Sequence, residues 1–117
     1  MTTKETIESY FSSLKQKTGW DSFLADDMTF ESFTSPIKRL TGREKYLEAT
    51  RRFYSMIGSM EVREMFVDGE KACALTHYEL RPPQGTAFES DVAEVFTVRN
   101  GKIDSFAIYF DSAPFPK

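Results

Sequence analysis

The feature that most restricts this chain is a change of period at Gly58. Before it, apolar residues recur mainly at helical spacing, with one extended run between the helices. After it, they alternate along extended runs separated by turn signals. Upstream, Thr2 and Glu5 have capping-box spacing, and Ile7, Tyr10, Phe11 and Leu14 share one helical face that Thr18-Gly19 is expected to end. A short second helix is predicted from about Trp20 to Ala25, carrying Trp20, Phe23 and Leu24 and broken by Asp26-Asp27. Met28 to Thr34 alternates as a strand, and Ser35-Pro36 ends it. Thr41 and Glu44 repeat the capping-box spacing and open a third helix, with Tyr46, Thr50, Phe53 and Ile57 on one stripe, Leu47 and Tyr54 beside it, and Gly58 as its stop.

Downstream, Met60–Val67 and Lys71–Leu80 flank the hairpin signal Asp68-Gly69. Pro82-Pro83 make residues 81–85 a loop, because proline donates nothing to a sheet ladder. Thr86–Arg99 and Lys102–Ser112 flank Asn100-Gly101, a pair that tolerates positive φ and favours a tight hairpin. Helices first and a strand meander after them make an α+β fold, with helices on one face of a curved sheet. Ala93 and Val95 alternate with Glu94 and Phe96, so both sheet faces carry apolar residues. That predicts a homodimer through the outer sheet face.

The chain's 117 residues fit one domain over 1–117, and 40% hydrophobic content supplies a core without staples. The formal charge is -3 and no basic run is present. Lys38-Arg39 and Arg51-Arg52 are too small for a basic patch, which argues against nucleic acid as the main partner. Cys73 is the single cysteine, so no internal disulfide forms. No apolar run approaches a membrane span, and polar Met1–Glu8 lacks a signal-peptide core, so the expected location is cytoplasmic, with no membrane partner. There is no phosphate loop, nucleophile elbow or dinucleotide fingerprint, and no cofactor is expected. His77 has no second histidine or cysteine at ligand spacing, so no metal is expected either. Eleven Phe, five Tyr and one Trp make 15% of the chain, enough to fill a core or line a cavity.

The element order, with Phe23-Leu24-Ala25-Asp26-Asp27 before the first strand and Thr41-Gly42-Arg43-Glu44 opening the long helix, resembles the nuclear transport factor 2-like superfamily. Val95 to Ile103, followed by Tyr109-Phe110-Asp111, looks like its SnoaL-like branch. The resemblance covers nearly the whole chain. It implies a cone-shaped curved antiparallel sheet packed on three N-terminal helices, a cystatin-like α+β barrel, around an apolar cavity for a hydrophobic small molecule. Matched strand by strand, Phe30, Ser32, Thr76, Tyr78, Glu94, Phe96, Phe106, Ile108 and Phe110 point inward, and each set keeps the two-residue period. Trp20 and Phe53 complete the expected ligand-binding set. The superfamily includes isomerases, cyclases, epoxide hydrolases, dehydratases and plain binding domains, so the fold does not select a reaction.

Two residues stand out as catalytic candidates. Glu94 lies mid-strand among apolar neighbours, where a carboxyl is costly to ionise and its pKa rises. SnoaL-like cyclases and ketosteroid isomerase place a functional acid at the matching position. The competing reading is a flipped strand, or a salt bridge to arginine. Tyr10 matches a first-helix tyrosine that helps form the isomerase's oxyanion hole; the competing reading is a core tyrosine. Ser32 breaks the resemblance, standing where the isomerase has its aspartate base. Serine does not abstract a proton at neutral pH without a base beside it, and Glu31 is on the opposite face. His77 shares the parity of Cys73, Leu75 and Glu79 and is assigned to the outer face. Three functions stay open: a cofactor-free isomerase, cyclase or dehydratase; a non-catalytic ligand-binding domain; and a dimeric interaction module filled by its own aromatics.

Overall fold

The computed structural model describes residues 1–33 and 39–115. Helix α1 covers Thr3–Lys15 and a 3-10 turn Trp20–Phe23. Strand β1 covers Leu24–Ser32, β2 Arg39–Thr41, helix α2 Arg43–Met56, β3 Ile57–Asp68, β4 Lys71–Leu80, β5 Phe88–Arg99 and β6 Lys102–Phe110. The described residues therefore hold two α-helices rather than three, because four residues at Trp20–Phe23 close only one tight turn.

The six strands form one sheet in the order β2-β1-β6-β5-β4-β3. It is mixed rather than wholly antiparallel: β1 runs parallel to β6, while the other neighbours are antiparallel. The parallel pair follows from the chain path, since β1 enters beside the last strand with α2 and the whole meander between them. Irregularities in β1, at two places in β3 and at Thr97/Val98 add local twist and curl the sheet around its inner face.

The capping box at α1 is present: the Glu5 backbone N–H donates to Thr2 Oγ1 at 3.1 Å, and the Thr2 N–H donates to Glu5 Oε1 at 2.9 Å. The buried stripe Ile7, Tyr10, Phe11 and Leu14 seats this helix in the concave side of the sheet. The second expected capping box is absent. Thr41 belongs to β2, paired with Thr29, and the N-cap of α2 is Gly42 at φ 101°, whose N–H donates to Met28 O at 2.7 Å. Arg43 then binds Asp26 at 2.8 Å, tying α2 to β1.

Asp26-Asp27 do not break a helix; both lie in β1, which starts at Leu24. Gly58 is not a helix stop, because α2 ends at Met56 and the chain enters β3 at Ile57 without a loop. The Arg81 N–H closes that corner on Met56 O at 2.7 Å. The expected stop at Ser35-Pro36 lies outside the described residues.

Candidate active site

Alternation along β5 turns Ser90, Val92, Glu94, Phe96 and Val98 to the inner face, and on β4 it turns Ala72, Ala74, Thr76, Tyr78 and Leu80 the same way. The register Ala74↔Glu94↔Ile108 fixes the orientation, so the Glu94 strand is not flipped. Between this face and α2 lies a cavity of about 240 Å3. Its wall includes Phe30, Ser32, Phe53, Tyr78, Glu94, Phe106, Ile108 and Phe110, all from the expected set.

Glu94 is 3% exposed. It leans toward β4, where Tyr78 donates its hydroxyl to Oε1 at 2.5 Å and Thr76 donates to Oε2 at 3.0 Å. Burial raises the Glu94 pKa from its ordinary value to about 7, outweighing the two hydroxyl donors that pull it down. No lysine, arginine or histidine lines the cavity among the described residues, so no cation restores the charged form. The result is a carboxyl that changes protonation near neutral pH inside an apolar wall.

Above it, α2 presents Tyr46 and Tyr54 to the cavity. Their hydroxyls share a short hydrogen bond, and Tyr54 also meets the Tyr10 hydroxyl at 3.0 Å. Burial holds all three phenols, and that of Tyr78, well above their usual range, so they stay neutral donors. Three hydroxyls joined by two contacts leave one proton for a further acceptor.

Not every expected residue reaches the cavity. Tyr10 stands behind Tyr54, packed against Phe11, Trp20, Phe96 and Phe106. Trp20 stacks on Tyr54 with ring centroids 4.0 Å apart, so it also backs the wall rather than lining it. Thr76 and Phe96 sit beneath the floor, the first holding Glu94 and the second packed on Phe106. Conversely, Tyr46, Thr50 and Tyr54 line the site without having been assigned to it, although their i, i+4, i+8 spacing puts three hydroxyls along one helix face. Phe115 closes the wall against Phe88 and Phe110, with no periodic signal to announce it. His77 lies on the outer face, with Nδ1 2.7 Å from Asp91 and Nε2 2.9 Å from Glu89.

A cone of curled sheet and two helices around an apolar cavity with one buried acid defines a class of small α+β pocket domains. The comparisons agree: the SnoaL-like domain model matches residues 8–106, and the chain belongs to that family, within the nuclear transport factor 2-like superfamily. Among solved structures it is similar to a Kribbella flavida protein, with 21% identity, TM-score 0.80, and 95% and 88% of the two chains covered. It is similar to an NTF2-like protein of unknown function from Cytophaga hutchinsonii at 20% identity and TM-score 0.77, covering 97% of this chain and 94% of that one. An LEH-like epoxide hydrolase from M. tuberculosis shows 21% identity and TM-score 0.76, over 94% and 83% of the two chains. At these identities the likeness shows the fold alone. No curated protein matches the chain.

Proposed function

We propose that this protein is a cofactor-independent acid/base enzyme acting on a small hydrophobic substrate, with Glu94 as the proton-transfer group. The observation that carries the reading is the Glu94 carboxyl itself, buried in an apolar cavity, held by Tyr78 and Thr76, and poised near neutral pH. In its ionised form Glu94 takes a proton from a carbon next to a carbonyl. A phenol of the Tyr46–Tyr54 pair donates to the carbonyl oxygen as negative charge develops there. Glu94 then returns the proton to the same or a neighbouring carbon. Isomerisation, cyclisation and elimination all share that first step.

Cavity size narrows the substrate. A cavity of roughly 150 Å3 holds benzene, so about 240 Å3 suits one to two rings and is too small for a four-ring steroid. This agrees with Ser32 standing where a steroid isomerase has its base. A direct test is deuterium exchange next to the carbonyl of 2-tetralone and related ketones in D2O, followed by NMR. The wild-type protein should accelerate exchange, and Glu94→Gln should lower the acceleration by roughly 100-fold or more. Ketones that bind but do not exchange would instead make the cavity a non-catalytic binding site.

We also infer a homodimer through the outer sheet face. Support comes from an apolar stripe of Phe66, Cys73, Val95 and Ala107 beside Leu75, Ala93 and Tyr109, with Tyr109 stacked on Phe33. Phe66 is 58% exposed and Tyr109 48%, which is unusual for large apolar groups on a sheet.

A further inference from the structure

The strongest signal outside the acid lies at the other side of the same cavity. Ser32 is 2% exposed and lines the cavity wall, yet its Oγ has no hydrogen-bond partner among the described residues. A buried hydroxyl without a partner costs stability, and an alanine would remove the cost. Ser90 Oγ is also unpartnered, but Ser90 does not line the cavity, whereas Ser32 is part of its wall.

Register places Ser32 relative to Glu94. Ser32 pairs with Ile108 across β1 and β6, and Ile108 pairs with Glu94 across β6 and β5. The two residues therefore share one cross-strand row on the inner face, two strand spacings or about 10 Å apart at the backbone. Glu94 is held on the β4 side of that row, where its two donors sit. Between them the wall is hydrocarbon, from Ile108, Phe106 and Phe30.

We infer that Ser32 is the second polar anchor of this cavity, and that the cognate ligand is a one- to two-ring apolar molecule with oxygen functions at opposite edges, one held at Glu94 and the other at Ser32. The inference rests on the ligand-binding part of the proposed function and adds to it the ligand's polarity pattern. Ser32 is a specificity residue, not a catalytic one, since it lies at the far edge from the proton-transfer group.

The test is a cycle of two probes and three proteins, read by isothermal titration calorimetry. The probes are 2-naphthol and 2,6-dihydroxynaphthalene. The proteins are wild type, Ser32→Ala and Ser32→Cys, the last nearly preserving volume while weakening the donor. On wild type the diol should bind more tightly than 2-naphthol by on the order of five- to tenfold, the value of one added hydrogen bond. Ser32→Ala should erase that gain, leave 2-naphthol affinity nearly unchanged, and raise or preserve the melting temperature of the unliganded protein. Ser32→Cys should give an intermediate gain. A diol advantage that survives both substitutions overturns the Ser32 assignment while leaving the cavity reading intact. Failure of wild type to bind either probe overturns both. Unchanged binding with altered 2-tetralone exchange would remove Ser32 from ligand recognition and leave the acid/base reading standing.

Discussion

Glu94 is pulled in two directions, and magnitudes decide which pull wins. Hydroxyl donors from Tyr78 and Thr76 favour the carboxylate, but full burial without a facing cation favours the neutral acid, and the pKa settles at about 7. The folded protein thus holds the proton more tightly than the unfolded chain does. Stability from this group is fully present below the ordinary value of 4.5 and is lost as pH rises through about 7. The loss over that window is about 3 kcal/mol. Denaturant unfolding at several pH values should show that fall in the wild type and a flattened profile in Glu94→Gln. If Glu94 is the base, 2-tetralone exchange should rise with pH through about 7 and then level off. An exchange rate that falls across that range would assign Glu94 the role of acid in the slow step.

At the scale of elements, helix α1 shows how much of the fold was legible in the sequence. Its cap and apolar stripe were written in local spacing, because both are satisfied within one helix. Thr2→Ala should cost about 1 kcal/mol, seen as a melting-temperature drop of roughly 4 °C. The β4–β5–β6 meander was equally readable, since alternation and hairpin signals are local. What local signals missed is set by tertiary pairing. Strand β2 is three residues long and exists because Thr29, Phe30 and Glu31 of β1 offer it an edge. Asp26-Asp27 extend along β1 rather than turning, with Asp26 held by Arg43. Tyr54 reaches the cavity only because Trp20 and Tyr10 fill the space behind it.

The β4–β5 pair carries a second pH-sensitive contact on the outer face. Hydrogen bonds to Asp91 and Glu89 raise the His77 pKa above its ordinary 6.5. Stability from this clamp is complete between the ordinary Asp value of 3.8 and the ordinary His value of 6.5; it is lost as pH rises through the raised His77 value, and again in acid as pH falls through the lowered Asp91 value. It should persist in Glu94→Gln and disappear in His77→Gln, which separates the two groups although their losses have the same sign.

For the whole molecule, the two sheet faces serve different ends. The inner face is taken up by α1, α2 and the cavity; the outer face keeps an apolar stripe, the surface proposed above for the homodimer. Light scattering after size exclusion should give twice the 13.5 kDa chain mass, and Tyr109→Lys combined with Phe66→Glu should return a monomer with its fold intact. A monomeric wild type at micromolar concentration would leave the stripe for some other partner. Among the described residues no helix is long and apolar enough to cross a membrane. The division of labour also explains why so many aromatics occur in so short a chain. Phe11 and Phe96 pack in the core beneath the cavity, Phe30, Phe53, Phe106 and Phe110 line it, and Phe33 and Phe66 face outward.

The central claim is that an acid buried in this cavity is poised for proton transfer, and the most direct test is an NMR titration of the Glu94 side-chain carboxyl carbon in the folded protein. A midpoint near 7, absent from Glu94→Gln spectra, is the predicted result. A midpoint at or below 4.5 would mean a solvated or ion-paired carboxylate, and would contradict both the apolar site and the acid/base function built on it.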